Sequence, residues 1–315
     1  MKNNFFEVLR PGINSTFQDL GRNNFYHIGI PFSGAMDKRN YLISNKLVNN
    51  NLNEVVIEFA FQGPLLRLIA DKIIFSITGD VNFKILKRNK ENVLGECYKS
   101  YVLEKNDQLD IISTNKSVYG YLSINGGFKL EKFLNSYSAF TRAEIGANNG
   151  KKIEINQKIY LNELSDTNIT KKISYSNSKI EFIRILKGTN FDYFSDKTIK
   201  NFLGNEFTVS KLTDRMGMRL LGDKIQIEKD TNIKSEGLVK GTIQVPADGN
   251  PIIMLSDHGT VGGYPKIGVV ISSDYDRLVQ LPPNSKIKFK LVELQEAEKM
   301  HKLYKMETDN LLNQV

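Results

Sequence analysis

The sequence predicts a mainly β protein built of barrels or sandwiches. Three observations carry that expectation. Short segments rich in Ile, Val, Tyr and Phe recur along the chain and are bounded by Gly or Asn. Several alternate apolar and polar residues with the period of two that a half-buried strand requires. Helical spacing is confined to a few stretches, a pattern that favours closed or stacked sheets over helical layers.

The elements follow in chain order. Met36, Tyr41, Leu42, Leu47 and Val48 stand near helical spacing, and Asp37 is placed to cap that helix. Residues 73–78, 117–124 and 151–156 read as strands. A polar stretch rich in Ser, Thr, Asn and Lys at 164–177 reads as a linker, which sets domains at 1–170 and 171–315. Residues 180–186 alternate before Gly188 as a strand should. Ser195 and Asp196 open a short helix that Gly204 ends. Residues 252–255 and 269–272 are strand-like, and 274–280 is helical up to Pro282 and Pro283. In 285–291, Ile287, Phe289 and Leu291 alternate with lysines, a strand with one wet face. Residues 294–312, charged and free of Gly, form a C-terminal helix.

Composition narrows the function classes. The chain has 315 residues, of which 40% are hydrophobic and 25% charged, an ordinary globular balance. The single cysteine, Cys97, excludes an intramolecular disulfide and a multi-cysteine metal site. His27, His258 and His301 are widely spaced, so no metal site is expected. No apolar run reaches the roughly 18–20 residues of a membrane helix, and residues 1–10 lack the pattern of a signal peptide. A cytoplasmic protein that does not associate with membranes is expected. The net charge of +8 comes mainly from lysine, scattered along the chain as an AT-biased genome writes it, so no nucleic-acid partner is expected.

Most chemical motifs fail on spacing. Gly146-Ala-Asn-Asn-Gly150-Lys151-Lys152 has one residue too few between its glycines for a phosphate loop and no Ser or Thr for magnesium, so a turn is expected. His258 beside Asp257 could serve as a general acid or base, or be an ordinary loop histidine. The densest segment runs from Ser235 to Asp274 and holds Gly237, Gly241, Gly249, Gly262, Gly263 and Gly268. A Gly-rich strand end lets a ligand approach backbone N–H groups, and Lys266 would complement an anion there. Barrel turns account for the same glycines equally well.

Ordered motifs then give the chain a family resemblance. They include Thr16-Phe-Gln-Asp-Leu-Gly-Arg22, Gly29-Ile-Pro-Phe-Ser-Gly-Ala-Met-Asp37 and Ile124-Asn-Gly-Gly127. Ser210-Lys-Leu-Thr-Asp-Arg-Met-Gly217, Ser235-Glu-Gly237, Gly241-Thr-Ile-Gln-Val-Pro246 and Gly262-Gly-Tyr-Pro-Lys266 complete them. Over roughly residues 6–295 the chain resembles the biotin-dependent carboxyltransferase family, which includes the C subunit of 5-oxoprolinase and the carboxyltransferase region of urea amidolyase. The resemblance implies two β-barrel-like subdomains, the C-terminal one cyclophilin-like, and a C-terminal helix. It implies the C subunit of an ATP-dependent 5-oxoprolinase, inactive alone, that works with the A and B subunits to open the lactam of 5-oxo-L-proline to L-glutamate.

Two further functions are compatible with the resemblance. One is the carboxyltransferase component of a split biotin-dependent urea or guanidine carboxylase. The other is a non-catalytic antagonist of a histidine-kinase inhibitor related to the B subunit. The complex would use ATP with Mg2+. No biotin is expected on this chain, because Lys299-Met300 and Lys305-Met306 lack the context of a carrier motif. The expected anion-binding groups are Arg215 and Lys266, with Asp257 or Asp214 as general base or metal-positioning carboxylate. Asp37, Gln244, Gly262, Gly263 and Tyr264 are expected to bind and orient substrate.

Overall fold

In a computed structural model, the structure describes residues 4–163, 170–175, 181–229 and 232–315. The chain divides into two units. The first comprises Met1–Arg22, Ser33–Ser176 and Thr308–Val315, and the second Asn23–Phe32 and Asn177–Glu307. Most of the linker expected at 164–177 lies outside the described residues.

Two antiparallel sheets form the first unit. One has six strands in the order Lys158–Tyr160, Phe5–Arg10, Leu65–Ile69, Gln108–Thr114, Val81–Leu86 and Asn92–Leu94. The other has five, in the order Asn14–Gln18, Val56–Ala60, Tyr119–Ile124, Lys72–Thr78 and Lys99–Glu104. Period-two patterning explains why they stack. Phe6 and Val8, Leu66 and Leu68, and Leu109 and Ile111 from the first sheet share one buried cluster with Ile57 and Phe59, Phe75 and Ile77, and Leu122 and Ile124 from the second.

The opposite face of the five-stranded sheet seats helix α1, Lys38–Leu47. That seat is polar. The Ser76 hydroxyl donates to Ser44 O at 2.7 Å, Thr78 to Asn40 O at 2.8 Å, and Ser123 to Asn45 Oδ1 at 2.8 Å. These buried hydroxyls find partners in the helix backbone and in one another, which offsets the cost of removing them from water.

The second unit is a nearly closed barrel. Its eight strands run Lys286–Ile287, Phe207–Val209, Gly217–Leu221, Ile252–Met254, Thr242–Gln244, Lys266–Val270, Ile183–Lys187 and Phe289–Leu291. The first and last are separated in the chain by Lys288 alone, so the sheet returns on itself. Pairing is antiparallel except between Ile183–Lys187 and Phe289–Leu291. Phe202, Phe207 and Phe289 pack as a ring cluster with centroids 4.8–5.9 Å apart. Helix α2, Asp196–Gly204, begins where Ser195 caps the Thr198 N–H at 3.3 Å. Helix α3 spans Ser272–Val279, and α4 spans Leu294–Asn313.

The mainly β class and the C-terminal helix are as the sequence predicts. One strand is not. Residues 151–156 run without strand pairing into a turn at Asn156, whose φ is 63°, and the edge strand starts only at Lys158. Turn-forming Asn overrides the apolar alternation there, leaving Ile155 exposed. No helix among the described residues is long and apolar enough to cross a membrane.

Candidate functional site

The middle of the barrel sheet sets the position of Lys266. Thr242–Gln244 lies between Ile252–Met254 and Lys266–Val270, and the register puts Gln244 opposite both Ile252 and Lys266. Lys266 is 3% exposed. A buried ammonium must keep a partner, because desolvating an unpaired charge costs several kcal/mol. Its Nζ donates to Glu236 Oε2 at 3.0 Å and to Tyr264 O at 3.3 Å. Glu236 stands on a two-stranded ribbon, Glu236–Gly237 paired with Val261–Gly262, and its side chain is 44% exposed.

Two side chains bond to this carboxylate. Besides Lys266, the Thr189 hydroxyl lies 3.3 Å from Glu236 Oε2 and 3.4 Å from the Asn190 Oδ1 beside it. The hydrogen bond from Lys266, above all, holds the Glu236 carboxyl below its ordinary range. Asn190 is fixed in turn, its Oδ1 accepting the Lys266 backbone N–H at 3.1 Å. The approach depends on Gly188, where a Cβ would fall 2.1 Å from Lys266 O.

Gln244 is buried beneath the ribbon, and its Nε2 reaches Tyr264 O at 3.4 Å. A Cβ at Gly262 would fall 2.5 Å from that nitrogen, so glycine lets the ribbon lie down on the carboxamide. Gly263 O accepts the Ile233 N–H at 2.9 Å. The Tyr264 side chain remains 40% exposed. Lys266, Gln244, Gly262, Gly263 and Tyr264 are therefore brought together.

Arg215 and Asp257 form a separate pair. The guanidinium donates from Nε to Oδ2 at 2.8 Å and from Nη2 to Oδ1 at 3.0 Å, a two-pronged bridge with Asp257 almost wholly buried. Both Asp257 oxygens are thus engaged by one cation. Asp214 faces elsewhere: its exposed carboxylate accepts the N–H groups of Met216 and Gly217 at 2.8 and 3.1 Å and shapes the loop before Gly217–Leu221. The register sets the Arg215–Asp257 pair beyond the Met254 end of the central strands, whereas Lys266 and Gln244 stand at the Ile252 end.

Two groups escaped the sequence reading. Glu236 lies inside a recognised motif, yet nothing local assigns it a partner 30 residues away. Tyr26 joins His258, with its hydroxyl 3.2 Å from both ring nitrogens and donating to Leu238 O at 2.7 Å. His258 Nδ1 is also 2.7 Å from Gly259 O. Burial pushes the His258 imidazole below its usual range and raises the Tyr26 phenol to about 12.

Asp37 belongs to the first unit, where it caps α1. Its Oδ1 accepts the Asn40 N–H at 3.0 Å, and its own N–H donates to the Tyr121 hydroxyl at 2.7 Å. The segment 146–152 folds as the expected turn. The N–H groups of Gly150 and Lys151 donate to Gly146 O and Asn148 O, which leaves no phosphate cradle in those two donors. It borders a concavity of about 760 Å³ in the first unit, lined by Lys129, Lys132, Phe133, Asn148, Asn149 and Tyr160 among others, and by none of the expected site residues.

Comparison with known proteins agrees with this architecture. The family model described as "Carboxyltransferase domain, subdomain A and B" matches residues 28–291. A relative from Haemophilus influenzae, the C subunit of its 5-oxoprolinase, is 32% identical over 97% of this chain and 97% of its own. The same subunit from Escherichia coli is 27% identical over 93% of each. The crystal structure of Kluyveromyces lactis urea amidolyase shares the fold, with a TM-score of 0.89 at 24% identity over 99% of this chain. The chain spans 20% of that larger chain's length. A two-unit β protein with a buried lysine–carboxylate site is thus placed in a class. The chain belongs to the family of carboxyltransferase domains with subdomains A and B.

Proposed function

We propose that this chain is the C subunit of an ATP-dependent 5-oxoprolinase, hydrolysing 5-oxo-L-proline to L-glutamate together with the A and B subunits. The observation that carries this reading is the alignment with the Haemophilus influenzae 5-oxoprolinase C subunit over 97% of both chains at 32% identity. The site chemistry is compatible with it. The substrate is a small anion containing a stabilised amide, and the second unit offers a buried ammonium at Lys266 and a guanidinium at Arg215.

In this reading Lys266 binds the negative charge, while the Gln244 carboxamide and Tyr264 orient the ring. Arg215, at the other end of the central strands, adds positive charge for the phosphates of ATP. Asp257, with both oxygens occupied, orients Arg215. ATP with Mg2+, bound in the complex, would supply the phosphoryl group that turns the amide oxygen into a leaving group. Asp37 and Asp214 hold backbone turns, and the reading gives them no chemical step.

A second reading rests on the family description and on the urea amidolyase relative from Lachancea kluyveri, 27% identical over 94% of this chain. There the chain would be the carboxyltransferase component of a split urea or guanidine carboxylase, working with a biotin carrier on another chain. Substrate choice separates the two. With the A and B subunits supplied, we expect glutamate formation from 5-oxo-L-proline. Carboxylation of urea, when a biotinylated carrier and biotin carboxylase are supplied instead, would favour the second reading.

A further inference from the structure

We infer that the Lys266 pocket is a carboxylate receptor whose present occupant, Glu236, is an internal stand-in that the ligand's own carboxylate displaces. The inference rests on reading Lys266 as the anion-binding group, and it names what that group binds and what guards it.

The geometry is asymmetric. Lys266 is 3% exposed and Asn190 6%, so these two are buried, whereas Thr189 is exposed on the turn that follows Ile183–Lys187. The acceptor is not buried, since the Glu236 side chain is 44% exposed on a ribbon of two residues per strand. Ammonium and hydroxyl donors from two separate segments of the chain converge on that one carboxylate. Such donors suit a free carboxylate, and Lys266 among them is fixed in the strand Lys266–Val270. An ammonium this buried cannot stand unpaired, so a ligand-free pocket needs a resident anion. The ribbon is suited to yielding. A Cβ at Gly237, next to Glu236, would meet nothing within 4 Å, so the edge that carries the carboxylate is open. Glu236 can therefore leave while Lys266 stays.

An internal competitor weakens apparent affinity by the fraction of molecules in which the pocket is open. If Glu236 covers Lys266 in about nine molecules of ten, its removal tightens binding about tenfold. Isothermal titration calorimetry of the full chain tests this with two probes, 5-oxo-L-proline and γ-butyrolactam, which is the same ring without the carboxylate. Glu236→Gln is expected to bind 5-oxo-L-proline about tenfold more tightly than the parent chain. Its affinity for γ-butyrolactam should not change, and Lys266→Met should abolish carboxylate binding. Unchanged or weaker binding of 5-oxo-L-proline by Glu236→Gln overturns the inference, as does an equal gain for γ-butyrolactam or no binding by any of the three proteins. The titration needs neither ATP nor partner subunits, so its failure is distinguishable from a failure of the oxoprolinase reading, which shows as absent glutamate formation.

Discussion

Arg215 and Asp257 show how much one residue can carry. The Asp257 side chain is 4% exposed and its bridge to Arg215 is two-pronged, so truncating it removes both prongs from a guanidinium that is itself mostly buried. Removing one partner of such a pair costs about 3–5 kcal/mol. Asp257→Ala should lose stability of that order in urea unfolding, and a loss below about 0.5 kcal/mol, the scale of a neutral surface change, would show that the bridge is idle. His258 supplies a pH test. Burial lowers its pKa, and Lys240 adds to the effect, while the bond to Gly259 O and the charge of Asp257 oppose it. The unfolded chain therefore binds the proton more readily than the folded one. The neutral imidazole contributes its full stability above the unfolded value of about 6.5, and that contribution falls away as pH drops through the folded value. Melting temperature should decline on acidification from about pH 7 to 5, and His258→Gln should flatten that part of the curve. An identical slope in the variant would assign the decline to other groups.

Helix α1 makes the case at the scale of an element. Its start was legible in the sequence, because an Asp before a helical run has a local mechanism: the side chain accepts an orphan N–H. Ser195 before α2 was legible for the same reason. Both signals are contained within four residues. The seat of α1 was not legible, because Ser44, Ser76, Thr78 and Ser123 look like surface residues until the five-stranded sheet turns them inward. Residues 151–156 misled in the opposite sense, since apolar alternation predicts a strand only where a partner strand is available. Asp37→Ala should cost about 1–2 kcal/mol in chemical denaturation, and Asp37→Ser, which keeps an acceptor, should recover most of it. Equal losses in both variants would mean that the residue acts through something other than its cap.

At the scale of the whole molecule, the charge of +8 and the two-unit division have different standing. The excess of lysine is scattered, and among the cations only Lys266 and Arg215 have a proposed role. The division is partly non-local: Asn23–Phe32 belongs to the second unit although its flanks belong to the first. No composition shift announces that, because it depends on partners such as Tyr26 with Leu238 and His258, more than 200 positions away. The candidate site has the same character. Its motifs were legible one by one, whereas the pairings Lys266–Glu236 and Arg215–Asp257 join residues 30 and 42 apart and exist only in the folded barrel. The central claim is that this chain is an essential subunit of a lactam-opening complex. The direct measurement is ATP-dependent formation of L-glutamate from 5-oxo-L-proline by the A and B subunits, with and without this chain. The account predicts glutamate only when the chain is present, and formation that persists at the same rate in its absence would contradict it.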